Sequence, residues 1–191
     1  MVYPPSHPRR IALSVMALAL TALAASPALA ADQTKYDLFE RIQEQVLRYS
    51  FFTVFDNLNV EIADDGHVVL TGHVTGSHKA SDIEKRVVAL DGVTAVTNEI
   101  AVLPASLFDD RLRYGIARAI YGNPHFWRYA AGANPPVHIV VERGHVTLTG
   151  VVNNETERQL ARSIAGQFNA FSVTNDLRLP HEVTSDLEAL R

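Results

Sequence analysis

Gly66-His67-Val68-Val69-Leu70-Thr71-Gly72-His73-Val74 returns 78 residues later as Gly144-His145-Val146-Thr147-Leu148-Thr149-Gly150-Val151-Val152, with seven of nine positions identical. A second pair, Val96-Thr97-Asn98-Glu99-Ile100 and Val173-Thr174-Asn175-Asp176-Leu177, stands 77 residues apart. The one-residue difference between the offsets is what a single loop insertion or deletion produces. The period is too long for a solenoid unit and suits a duplicated small domain.

Outward from these strands, each copy reads alike. An amphipathic helix opens it, with an apolar stripe at Leu38, Ile42, Val46 and Tyr49 in the first copy. In the second copy the stripe is set on Phe108, Leu112, Ile116 and Ala119. Alternating strands follow (Leu58, Val60, Ile62; Val137, Ile139, Val141), then a turn at Asp64-Asp65-Gly66 or Glu142-Arg143-Gly144. The repeated strand points Val68, Leu70, Gly72 and Val74 one way, and His67, Thr71 and His73 the other. A second helix carries Ile83, Val87 and Leu90, or Leu160, Ile164 and Phe168. The last strand buries Val96, Ile100 and Val102, or Val173, Leu177 and Leu179. The pattern predicts an α+β chain of two αββαβ two-layer sandwich domains in tandem, residues 35–103 and 108–180. Each has an antiparallel hairpin and a right-handed β-α-β crossover. Residues 181–191 are left as a C-terminal tail. Domains of this size lie near the lower limit for a self-sufficient core, so docking of the copies across the short Pro104–Leu107 linker is expected.

Residues 1–30 have the form of a secretion signal. Arg9 and Arg10 precede an uncharged apolar run, Ile11 to Ala25, and Ala28-Leu29-Ala30 fits the small-x-small cleavage rule. The run is short for a membrane span. The chain has no cysteine, which excludes thiol chemistry, cysteine metal sites and lipid attachment to a cysteine at the cleavage point. A periplasmic location follows. Residues 31–104 hold 6 basic and 12 acidic residues, whereas 105–191 hold 9 of each, so contact with an anionic surface should fall to the second copy. An acidic exported chain disfavours nucleic acid as a partner.

The [GH]-V-x-L-T-G strands at 67–72 and 145–150, with V-T-N-x-[IL] at 96–100 and 173–177, resemble the BON domain. Gly92-Val93 matches the family's G-V before the last strand, and Asn169-Ala170-Phe171-Ser172 departs from it in the second copy. The resemblance implies a binding module acting on phospholipid surfaces or envelope proteins, linked to osmotic stress and outer-membrane integrity. It carries over no catalytic residue and no cofactor.

The residues agree in offering little chemistry. His67 and His73 share a face but stand about 20 Å apart at roughly 3.3 Å per residue, too far for one metal. His138 and His145 have different offsets from the turn, and Asp64-Asp65 suit the turn itself. No nucleophile elbow, phosphate loop or zinc motif occurs. No catalytic, metal or cofactor site is therefore expected. Asn98 and Asn175 recur at an inward position and read as satisfying a backbone group at a bulge. One surface stands out. Opposite the core stripe of the second copy's first helix lie Arg111, Tyr114, Arg118 and Tyr121, running into Phe126, Trp127 and Arg128. Arginine meets lipid phosphate, and tryptophan and tyrosine sit at headgroup level. The same face could instead dock on the acidic first copy, with Phe126 and Trp127 capping the sheet edge as core, or be plain surface. The two functional readings are a module contacting anionic phospholipid or outer-membrane components, and a chaperone-like scaffold for envelope proteins.

Overall fold

The computed structural model describes residues 27–132 and 134–189; the predicted signal segment lies almost wholly outside them. Helix α1 (Pro27–Leu47) is followed by β1 (Asn57–Ile62), β2 (His67–Val74), α2 (Ser77–Val88) and β3 (Ala95–Val102). The second unit runs α3 (Leu107–Tyr121), a 3-10 turn at Pro124–Phe126, α4 (Trp127–Ala130), β4 (Val137–Glu142), β5 (His145–Val151), α5 (Glu155–Ala165) and β6 (Ser172–Arg178). Helix α6 (Pro180–Ala189) stands where the sequence reading leaves a tail. Among the described residues no helix is long and apolar enough to cross a membrane.

The repeated motif forms the middle strand of each sheet. The orders are β1-β2-β3 and β4-β5-β6, with the hairpin pairs antiparallel and the crossover pairs parallel. A central strand has neighbours on both sides and a helical layer on one face, so Val68, Leu70, Val74, Val146 and Leu148 are all fully buried. The glycine of the Thr-Gly pair has its own cause. Gly72 and Gly150 sit at φ 124° and 109°, and a Cβ there would fall 2.4 Å from the Asn57 carbonyl oxygen and 1.8 Å from that of Pro136. Only glycine tolerates both conditions.

Three expectations are corrected. The second copy's core stripe is Leu112, Ile116 and Ile120, one turn later than expected; Phe108 lies at the surface. Val102 is exposed at the end of an edge strand, and the next residue, Leu103, turns in instead. Asn98 and Asn175 sit in unbroken ladders rather than at bulges. Their amides donate to the second helix, Asn98 to the Ala80 carbonyl at 3.2 Å and Asn175 to the Arg158 carbonyl at 3.0 Å. Each pins the last strand to the helix that precedes it.

A buried charge marks the first turn of the second helix in both copies. In the first, Lys79 donates to Asp56 at 2.6 Å. Asp56 is fully buried and also accepts from the amides and hydroxyls of Thr53 and Thr75. Burial alone would raise its pKa, but the Lys79 bond and these donors outweigh it and hold the carboxyl below the ordinary range. In the second copy the equivalent residue is Glu157, bonded to Arg128, Tyr129 and the Asn153 amide.

The first domain docks on the second through residues 51–55. The Ile139 amide on the outer edge of β4 donates to the Val54 carbonyl at 2.6 Å. Phe55 meets Tyr114 edge-on at 5.0 Å, and Phe52 packs on His138 at 5.6 Å. The Asn134 amide donates to the Leu47 carbonyl at 3.1 Å. Burial holds His138 below the ordinary histidine range, although the Asp56 and Thr53 carbonyls facing its ring and the Asp56 charge pull the other way.

Two predictions follow from these buried groups. Lys79→Met strands Asp56 and should cost ~3–5 kcal/mol in urea unfolding, with part recovered on adding Asp56→Asn. For His138, the unfolded chain binds the proton more readily than the folded one. Stability is therefore complete above about pH 6.5 and falls as pH drops below it. Urea midpoints measured from pH 7.5 to 5 should show this decline, and His138→Phe should flatten it.

Candidate functional site

Helix α3 is anchored on its inner side by polar contacts as well as by its core stripe. Ser106 caps it, accepting from the Asp109 amide at 3.2 Å. Asp109 is buried and accepts from the Arg143 and Gly144 amides at 2.9 and 2.8 Å, which ties the helix start to the β4–β5 turn. Buried Arg113 donates to the Val141 carbonyl and, at 2.6 Å, to Asp110. The helix cannot roll without breaking these bonds, so its outer face is fixed.

That face is the stripe Leu107, Arg111, Tyr114 and Arg118, all exposed, at the i, i+4, i+7, i+11 spacing of one side of a helix. At about 1.5 Å per residue it runs roughly 16 Å. Trp127 extends it, since its indole N–H donates to the Gly122 carbonyl at 3.1 Å, just past the last turn that carries Arg118. At the opposite end stands an apolar knuckle. Leu107 is 79% exposed, Phe171 73% and Phe108 42%, with the two phenyl rings 5.9 Å apart over Gly144. Exposed Arg143 lies in the adjoining turn.

The sequence-predicted residues therefore divide. Arg111, Tyr114, Arg118 and Trp127 share the open face. Phe126 does not: it is fully buried in the second core, because the 3-10 turn folds its ring inward. Tyr121 is half-buried, and its hydroxyl donates to the Val137 carbonyl; burial pushes its pKa upward. Arg128 is committed to Glu157 and lies over the Tyr129 ring at 5.0 Å. Tyr114 belongs to the domain interface as well as to the open face. Sequence reasoning missed Leu107, Phe108 and Phe171. The signal for Phe171 was the Asn169-Ala170-Phe171-Ser172 departure from the glycine-valine turn. Phe108 was hidden by setting the core stripe one turn early.

The BON-domain family model matches residues 37–104 and 129–180. The chain belongs to the BON-domain family. BON domains are a binding-type family associated with phospholipid. The match to the second BON domain begins at Tyr129, so α3 and Trp127 precede the matched segment. A search of curated proteins finds no match. Among solved structures, the chain is similar to CdsD, a structural protein of the Type III secretion system of Chlamydia trachomatis. Identity is 16%, over 80% of this chain and 97% of that one, with a TM-score of 0.28. For the C-terminal domain of CdsD the values are 15%, 75%, 97% and 0.29.

The different burial of two neighbouring rings gives a direct check. Phe126→Ala should lower stability by ~3–5 kcal/mol, whereas Trp127→Ala should change it by no more than about 0.5 kcal/mol. Both are read from chemical denaturation.

Proposed function

We propose that this BON pair is a non-catalytic periplasmic module whose second domain rests on an anionic phospholipid surface. Leu107, Phe108 and Phe171 enter the acyl boundary, and Arg111, Arg118 and Arg143 meet the phosphates. Export through a leader cleaved after Ala30, with mature domains at 35–103 and 108–180, belongs to the same proposal, as does a role in envelope maintenance.

The observation that carries it is the knuckle beside the arginines. Three large apolar side chains left in water at one tip oppose the usual burial of such groups. A flat interface with an apolar layer under a phosphate layer satisfies both halves of this surface at once. Trp127 at the far end suits headgroup depth. The knuckle also favours a second reading, a scaffold that holds other envelope proteins through apolar contact. Salt separates the two, because arginine–phosphate attraction is screened and apolar docking is not.

Phosphatidylglycerol vesicles should bind the protein in cosedimentation, more weakly as salt rises. The variant Arg111→Gln/Arg118→Gln/Trp127→Ala should lose at least ~30-fold in affinity, since each arginine contributes about 1 kcal/mol near an anionic surface. Leu107→Ser/Phe171→Ser should also weaken binding, and both variants should unfold at wild-type denaturant concentrations. Vesicle binding of the triple variant at wild-type strength overturns the reading.

A further inference from the structure

A cleft of about 730 Å³ separates the two BON domains and takes no part in the α3 face. One wall is formed by α1 and β1 of the first domain. The other is the outward face of the second sheet. An outward sheet face ordinarily meets water and carries polar residues. This one places Val140 and Val151 opposite Phe39, Leu47, Leu58 and Val60 across the gap.

The charged residues of this wall, Asp176 and Arg178, both stand on β6, the strand at one end of the sheet. Strand register sets His138, Thr149 and Asp176 in one row of the sheet, with Val151 and Arg178 in the next. Val140 and Thr147 form the row on the other side. The Phe52–His138 contact places the histidine row beside the start of β1, where Asn57 pairs with His73. His73 and Arg178 both line the cleft, and Arg178 is steadied by a 2.8 Å bond to the Glu182 carbonyl. Asp176 lines the same end, so a negative head must be met by Arg178 directly and not by the net charge of the wall.

A polar end with one guanidinium, an apolar body and a volume within the roughly 300–1,000 Å³ of small-molecule sites define a ligand class. We propose that the interdomain cleft binds a single-chain anionic amphiphile. Its acyl chain would lie between α1 and the outward face of the second sheet, with its head at Arg178. This site is separate from the vesicle-binding face and does not depend on it.

The test is calorimetric titration of the purified protein with palmitate and with lysophosphatidylglycerol, each below its micelle concentration, and with neutral monopalmitoylglycerol. Saturable one-to-one binding of at least one anionic amphiphile is expected, and the tighter of the two identifies the head as carboxylate or phosphate. Thr147→Phe and Val151→Phe, both at partly exposed wall positions, should each weaken it at least tenfold while thermal unfolding stays at the wild-type temperature. Arg178→Gln should weaken the anionic ligands and spare the neutral one. The Arg111→Gln/Arg118→Gln/Trp127→Ala protein should bind the tighter of the two anionic amphiphiles with wild-type affinity, which keeps this proposal distinct from the vesicle reading. Absence of saturable binding by the wild type, or wild-type affinity in both wall-filling variants, overturns it.

Discussion

The first turn of the second helix has to carry a buried charge in both domains, and much of the rest is arranged around that. In the first domain the charge is Lys79, a cation where the helix dipole disfavours one, and no side chain caps the helix at Gly76. Asp56 must therefore stand beside it, and Asp56 in turn collects Thr53 and Thr75. Those bonds hold the 51–55 loop in the shape that reaches across to the second domain. In the second copy the charge is reversed. Glu157 agrees with the dipole and joins a cap in which Asn154 accepts from the Glu157 amide at 2.9 Å. Its partners again come from the segment between the first helix and the first strand, here Arg128 and Tyr129 on α4. The duplicated position is conserved as a constraint but not as a residue.

This reversal explains why the two surfaces differ while the two cores agree. Pairing Glu157 requires a segment that delivers Arg128 and Tyr129, and the longer stretch between α3 and β4 supplies it. Phe126 roots that segment in the core. Trp127, the next residue, is then left outside over the end of α3. The exposed indole is thus a by-product of how the buried glutamate is satisfied, and it falls on the same side as Arg111 and Arg118.

The domain plan was readable because it rests on period and repetition. Alternation at Val68, Leu70 and Val74 marks a strand, and its return at Val146, Leu148 and Val152 marks the second domain. Strand order was not readable, since it depends on which strand the helices cover on one face while others flank it. The helix stripe of the second copy was misplaced by a turn because Phe108, Leu112 and Ile116 fit the helical period as well as Leu112, Ile116 and Ile120 do. What decides is the tie from Asp109 to the β4–β5 turn, a contact 34 residues distant in sequence. Arg128 read as surface, and Phe126 as either surface or sheet-edge core, for the same reason: nothing local reveals Glu157 or the direction of the 3-10 turn. Arg111 and Arg118 were legible because a stripe opposite a core stripe has nowhere to go but out.

Tyr114 links the two halves of the molecule. It lies in the open stripe between Arg111 and Arg118, and its ring also meets Phe55 from the first domain. Phe55 belongs to the loop that Asp56 and Lys79 shape, and the same loop sets Phe52 against His138 at the mouth of the cleft. A shift of the first domain therefore moves Phe55 away from Tyr114 and opens the cleft wall together. The acidic first domain acts on the second through aromatic packing at this loop, and charge attraction between domains is not needed to explain their docking.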